Sequence, residues 1–370
     1  MINRLKPMIA LLMISNLSIS TTSAFAQEAV VSGATPRIST DHKESLEVVK
    51  DPLTRAETLF HTAIQLQIFH RGKQAQQAMD DAYEYMEFAE SIFSTNLEES
   101  DVYKINQQAG KNFVKVHPQV FEVIQEALKW AEKTDGKFDI TIGAVTNLWQ
   151  IGSENARVPS KEEIEQALPK IDYKKIQLDE ENQAVKLEEE GMALELGGIS
   201  KGYIADQVRN IFDAHGVTTA IINLGGNVIV MGTSPANEDG WNVGIQDPDE
   251  TRGQIVGRRK VIDGAIVTSG IYERFIEEDG VKYHHIIDPK TGYPLDNELS
   301  ATSIFTKDST TADALSTSLF LMGLEEGLSF VESLDGVDVI FIDKNQKLYL
   351  TSGLKDDFEL TNERYEVASE

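Results

Sequence analysis

Cysteine is absent from all 370 residues. That excludes disulfides, thiolate catalysis, Cys-based zinc sites and anchoring through a lipidated N-terminal cysteine. Basic residues are scarce: 34 Lys and Arg stand against 60 Asp and Glu, a formal net charge of −26. Nucleic acid and anionic membrane surfaces are recognised mainly through Lys and Arg, so neither fits as the main partner. A phosphate-bearing ligand would need a local exception, either a bound cation or a lone lysine. There is no H-E-x-x-H zinc motif, and no stretch reads as a transmembrane helix. What remains is an ordinary globular composition, 41% hydrophobic and 25% charged, which removes the disordered and fibrous classes.

The N-terminus has the layout of a signal peptide over residues 1–26. Arg4 and Lys6 supply positive charge, Met8 to Ile14 is a short apolar core, and Ala24-Phe25-Ala26 is a cleavage signal. The sequence therefore predicts an exported protein, periplasmic or extracellular, cleaved after Ala26, with no stable membrane anchor. Residues 27–55 read as a flexible linker, 56–355 as a single large domain and 356–370 as an acidic C-terminal tail. Within the domain, Thr62 to Phe69 alternates apolar and polar residues and predicts a strand. Helical spacing predicts helices over 73–93, 118–133, 160–168, 199–215 and 311–322. Further strands are predicted at Met192–Leu196, Ala220–Leu224, Tyr272–Glu277, Lys282–Ile287, Val337–Ile342 and Lys347–Thr351. Strand pairs joined by tight turns and mixed with helices indicate an α+β fold, with mixed or antiparallel sheets flanked by helices.

The candidate chemistry is concentrated in a few segments. Gly197-Gly198-Ile-Ser200-Lys201-Gly202 opens a helix, which puts free N–H groups and an ammonium where a phosphate would sit. It lacks the spacing of a P-loop, and a tight strand-to-helix connection explains it equally well. Asn223-Leu-Gly225-Gly226-Asn227 is a second glycine turn, readable as a bulge. Asp313 and Thr317 lie four residues apart on one helix face and offer two hard oxygen ligands suited to Mg2+. Alone, the pair reads more simply as an Asp at the helix dipole and a packed Thr. Ligation requires a carbonyl and a phosphate to complete the shell. His284 and His285 are adjacent in a predicted strand and so face opposite sides. His285 is a candidate proton acceptor, or a core or solvated histidine.

Taken in order, these segments resemble the FAD:protein FMN transferases of the ApbE family, from about Leu59 to Met322. The resemblance rests on Ser94 through Ser100 to Ile105-Asn106, Thr134-Asp-Gly-Lys137-Phe138-Asp139-Ile-Thr141, and Asn147-Leu-Trp149. It continues through Leu196-Gly-Gly-Ile-Ser-Lys-Gly-Tyr203 with Asp206, Asn223 to Asn227, Thr268-Ser269-Gly270, His284 to Gly292, and Ala312 to Thr317. The resemblance implies an ApbE-like, T-fold-related domain. It implies a Mg2+-dependent reaction in which FAD is split at its pyrophosphate and AMP leaves. FMN is then joined through its phosphate to a Thr (or Ser) hydroxyl of an exported acceptor protein. Asp313, Thr317 and the Gly198 carbonyl are the implied Mg2+ ligands. Glu195, Lys201, Ser269, the Lys137-Phe138-Asp139 loop and the backbone near Ile287 are the implied flavin contacts, and His285 sits by the pyrophosphate. His285 and Asp313 are the implied catalytic residues. Two departures stand out. Phe60-His61-Thr62 replaces the family's usual Met-Gly-Thr, with Phe60 able to cover the ring. Asn96 stands where an aromatic residue often follows, a lost stacking face of roughly 0.5–1.5 kcal/mol. Two alternatives use the same reading of the residues: an FAD pyrophosphatase giving FMN and AMP, or a non-catalytic exported flavin-binding protein.

Overall fold

The computed structural model describes residues 46–368. The expected signal peptide and most of the expected linker therefore lie outside the described residues. Nine strands form the main sheet, and their order across it follows their order along the chain. They are β1 (Val48–Leu59), β2 (Thr62–His70), β3 (Ala220–Leu224), β4 (Asn227–Met231), β5 (Gly264–Gly270), β6 (Leu299–Thr306), β7 (Asp338–Asp343), β8 (Lys347–Leu350) and β9 (Glu366–Val367). Every neighbouring pair is antiparallel except β8 and β9. The fold is α+β, as the strand-turn-strand spacing indicated.

The two faces of the sheet are covered differently. On one face Ile64, Leu66 and Ile68 of β2 and Ile222 and Leu224 of β3 join the main core. There they meet helices α1 (Lys73–Phe93), α2 (Pro118–Lys133), α3 (Ser200–Ala214) and α4 (Ser309–Met322). On the other face Val230, Ile266, Ala301, Phe305 and Ile340 form a second core. A small antiparallel sheet supplies Trp241, Ile245 and Val256 to it. With cover on both sides, β6 is buried along seven of its eight residues. Sheets covered on both faces show no alternation, and this strand was not among those the sequence predicted.

Three sequence expectations are corrected. Residues 48–55 belong not to a linker but to β1, paired with β2 from Val48↔His70 to Leu59↔Thr62. The strand is an edge carrying Lys50, Asp51, Arg55 and Glu57, the kind of charge that protects an edge from further pairing. Its order comes from β2 and from His70, whose Nδ1 lies 3.1 Å from the Glu47 carbonyl. The acidic tail is also incorporated: Phe358–Leu360 pairs with Ile255–Val261, and β9 pairs with β8. Tyr365 is buried, and its hydroxyl donates to Asp247 at 2.6 Å. Last, Met192–Leu196 is an irregular segment with only a single bridge, Ala193 to Ile142. Asn106 clamps it through both amide atoms, donating to the Leu194 carbonyl at 3.0 Å and accepting from the Leu194 N–H at 2.7 Å.

Candidate active site

The site is built where α3 crosses α4, and Gly202 sets how closely they approach. A Cβ at Gly202 would overlap the Ser309 carbonyl and lie 2.8 Å from Asp313 Cβ. The bare backbone instead donates its N–H to Asp313 Oδ2 at 2.9 Å. Asp206, one turn further along α3, ties down the start of α4 by accepting from Ser309 N–H (2.8 Å), Thr310 N–H (2.9 Å) and Thr310 Oγ1 (2.6 Å). Burial pushes the Asp206 carboxyl up, and these hydrogen bonds oppose the shift. Asp308 caps α4 through Thr311 N–H at 2.8 Å, so the start of α4 is held without Asp313.

Asp313, Thr317 and Gly198 lie together. Asp313 is buried. A Cβ placed on Gly198 would sit 3.6 Å from Thr317 Oγ1 and 3.2 Å from the Phe138 ring. The Thr317 hydroxyl makes no hydrogen bond among the described residues, leaving its lone pairs available. Lys201 donates to the Gly197 carbonyl at 2.6 Å and stands 3.7 Å from Asp313 Oδ1. Ser269 at the end of β5 donates to Ser316 Oγ at 2.8 Å, and Ser316 donates to the Asp313 carbonyl at 2.8 Å. The Ser316 connection left no sign in the sequence, since Ser316 looks like any small residue on a buried helix face.

No group of three or more His, Cys, Asp or Glu side chains among the described residues is placed to hold a metal ion. A cage of charged ligands is therefore not built here. One carboxylate, one unengaged hydroxyl and a glycine carbonyl nevertheless suit Mg2+, which keeps several waters and takes further ligands from phosphate.

The two histidines separate cleanly. A carbonyl can only accept, so the Nε2 of His284, 2.9 Å from Leu295 O, carries the proton, and its Nδ1 accepts the Ile286 N–H at 3.2 Å. Both nitrogens are used, and the ring packs edge-on against Phe320. His285 lies just beyond the strand Val281–His284. Its Nδ1 faces the Arg274 carbonyl at 3.3 Å and its N–H donates to the same carbonyl at 3.1 Å. That assigns the proton to Nδ1 and leaves Nε2 as a free acceptor. Desolvation, opposed by the Arg274 carbonyl hydrogen bond and reinforced by the charges of Arg274, His284 and Lys201, brings His285 down to about 4, although the residue is partly exposed. It is neutral at pH 7 and can take a proton.

The remaining expected contacts are distributed unevenly. Glu195 turns back on its own loop, accepting from Gly197 N–H at 2.7 Å. Phe138 is buried against Gly198. Lys137 pairs with Glu326 at 3.2 Å. Asp139 accepts from Thr141 N–H (2.8 Å), Thr141 Oγ1 (2.6 Å) and Tyr173 N–H (2.9 Å), so its carboxylate holds the loop that presents Phe138. Ile287 and Pro294 form a bridge whose hydrogen bonds run between their neighbours, Asp288 N–H to Tyr293 O and Leu295 N–H to Ile286 O. The Ile287 N–H and carbonyl therefore point away from Pro294 and make no backbone hydrogen bond among the described residues. Phe60 sits in the left-handed turn between β1 and β2, φ 51°, with its N–H donating to Glu90 at 2.9 Å. Asn96 is exposed, and its N–H bond to Ser94 Oγ is local. Neither forms a hydrogen bond to the Gly198–Asp313 group among the described residues.

The profile of the ApbE family matches residues 60–341, and 34% identity to a Treponema pallidum protein extends over 84% of this chain. The chain belongs to the ApbE family. That Treponema pallidum relative is named FAD:protein FMN transferase, and 90% of its length is covered. A Klebsiella pneumoniae protein of the same name is 37% identical over 75% of this chain and 86% of its own length. Among solved ApbE structures, the Thermotoga maritima protein superposes with a TM-score of 0.76 at 32% identity, covering 83% of this chain and 99% of its own. The flavin transferase ApbE of Vibrio cholerae does so with a TM-score of 0.71 at 25% identity. The ApbE match begins at Phe60, so β1 lies wholly outside it.

Proposed function

We propose that this chain is a FAD:protein FMN transferase. In the proposed reaction a Thr or Ser hydroxyl of an acceptor protein attacks the flavin-side phosphorus of FAD. His285 Nε2 accepts the hydroxyl proton as the new O–P bond forms. The bond from that phosphorus to the bridging oxygen breaks, and AMP departs with the electron pair. FMN remains on the acceptor as a phosphoester. Mg2+, held by Asp313, Thr317 and the Gly198 carbonyl, would neutralise phosphate charge and fix the phosphate's orientation.

The chain's own residues do the rest. Lys201 and Ser269 approach the phosphates from two elements, Phe138 walls the site beside Gly198, and the Ile287 backbone offers one donor and one acceptor. The observation that carries the reading is His285: a neutral imidazole with one nitrogen anchored and the other open, in a member of a family whose relatives bear this transferase name. The leader over residues 1–26 makes export of this chain, and of its acceptor, part of the proposal.

The test incubates the protein with FAD, Mg2+ and a flavin-acceptor protein, then reads AMP release and flavin fluorescence of the acceptor on a denaturing gel. Transfer predicts both signals, and neither in EDTA. AMP without a labelled acceptor would mean that water is the nucleophile and the protein is a pyrophosphatase. Bound FAD with no AMP under any metal would make it a flavin carrier.

A further inference from the structure

Arg274 stands apart in an acidic protein. Each of the other eight arginines among the described residues has a carboxylate oxygen within 3.1 Å. The guanidinium of Arg274 has no ion pair, hydrogen bond or ring contact among the described residues. Even its neighbour Glu273 is turned to Arg252, at 3.0 Å. With 26 more acidic than basic residues in the chain, an arginine without a carboxylate is a cation kept for something else.

Its place says what. The Arg274 carbonyl holds both the N–H and Nδ1 of His285, so the residue is fixed directly beside the proposed proton acceptor. Its side chain runs along the turn after the helix Gly143–Trp149. There Gly152, at φ 95°, leaves room: a Cβ would lie 3.3 Å from Arg274 Cδ. Lys201 on α3 is the other lysine or arginine whose charge acts on His285. Two cations from separate elements thus act on His285, and a dinucleotide brings two phosphates. Lys201 stands beside Asp313, on the side where Phe138 and Ser269 would meet the flavin half. Arg274, just before the hairpin of Phe275–Glu278 and Val281–His284, is left for the other phosphate.

We propose that Arg274 binds the adenylate-side phosphate and stabilises the leaving AMP. This rests on the FAD reading above. When the bond between the flavin-side phosphorus and the bridging oxygen breaks, the electron pair stays on that oxygen, and charge grows on the adenylate phosphate. A guanidinium presents a planar, permanently charged fork matched to phosphate, so its interaction strengthens as that charge develops.

The test separates the two halves of the dinucleotide in EDTA, where no turnover occurs. FAD and FMN affinities are measured by flavin fluorescence for the parent, Arg274→Gln and Arg274→Lys, alongside melting temperature. Losing a charge-assisted contact weakens FAD binding in Arg274→Gln by roughly ten- to hundredfold. FMN affinity should stay within about twofold and the melting temperature should hold, while Arg274→Lys recovers part of the loss by charge alone. Equal weakening of FAD and FMN would overturn the assignment by placing Arg274 on the flavin side. Unchanged affinities with reduced acceptor labelling would overturn it in favour of an acceptor contact. If the parent binds both nucleotides but releases no AMP with Mg2+, the transferase reading fails while the FAD–FMN difference still decides Arg274. If the parent binds no FAD, both fall.

Discussion

Replacing Asp313 with Asn separates the metal reading from a structural one. The carboxylate is buried, 3% exposed, and is held by Gly202 N–H at 2.9 Å on Oδ2, with the Lys201 ammonium 3.7 Å from Oδ1. Asn is isosteric, and its carbonyl oxygen can keep the Gly202 bond that ties α4 to α3. What it loses is charge. Lys201 is about a quarter exposed and still donates to the Gly197 carbonyl at 2.6 Å, so it is not stranded. A long, partly solvated ion pair of this kind contributes about 1 kcal/mol or less. For a chain of this size that amounts to about 2 °C or less in melting temperature. The effect on chemistry should be far larger, because the one anionic side chain proposed to hold the cation would be gone. We expect Mg2+-dependent AMP release to fall at least about a thousandfold, the scale on which preorganised charge stabilisation acts. The purified parent and the Asp313→Asn variant would be compared by AMP release across a Mg2+ titration and by thermal melting. AMP release within about tenfold of the parent at saturating Mg2+ would refute the assignment of Asp313 as a ligand. A melting temperature more than about 10 °C lower would instead make it a structural carboxylate.

Three further outcomes follow from the same contacts. Gly202→Ala should drive α3 from α4 and cost about 1–3 kcal/mol by overpacking, lowering the urea midpoint together with Mg2+ affinity; a neutral result would mean the helices have slack at their crossing. His285→Ala should reduce acceptor labelling strongly while leaving the urea midpoint nearly unchanged, because one ring nitrogen is unengaged. His284→Ala should do the reverse, losing stability through the Leu295 and Ile286 bonds and the Phe320 contact; equal kinetic damage from both changes would contradict the division of roles. Stability should also decline as pH falls from about 7.5 to 5.5. His70, His117, His284 and His285 are all held below the ordinary 6.5 mainly by desolvation. Their contribution is full above the unfolded pKa and is lost as pH drops through the window below it. His70→Gln, which removes an acceptor of the Thr218 and Thr219 N–H groups, should flatten that slope in a urea-midpoint series; an unchanged slope would exclude His70 as a contributor.

What was legible in the sequence was local. Helices α1 and α2 have the bounds their spacing predicts, Lys73–Phe93 and Pro118–Lys133, because each buries one apolar stripe in the main core. β2 was legible because one side chain in two enters the core. Strand β6 was not, because both of its faces are buried and the alternation vanishes. Strand β1 was missed for the opposite reason: at the sheet edge its charged residues are tolerated, and its order is supplied by a partner strand. The site divides in the same way. Asp313 and Thr317 share a face through helical periodicity alone, whereas the approach of Gly198 to Thr317 needs two helices to cross at Gly202. The histidines show where one dimension runs out. Sequence adjacency predicts opposite faces but not which ring keeps a nitrogen free. That is decided by carbonyls at Arg274 and Leu295, backbone atoms common to every residue type and therefore silent in the amino-acid letters. Arg274 illustrates the converse. Its letter is visible, yet what marks it is the lack of a carboxylate around it, a property of the folded surface that no spacing rule along the chain encodes.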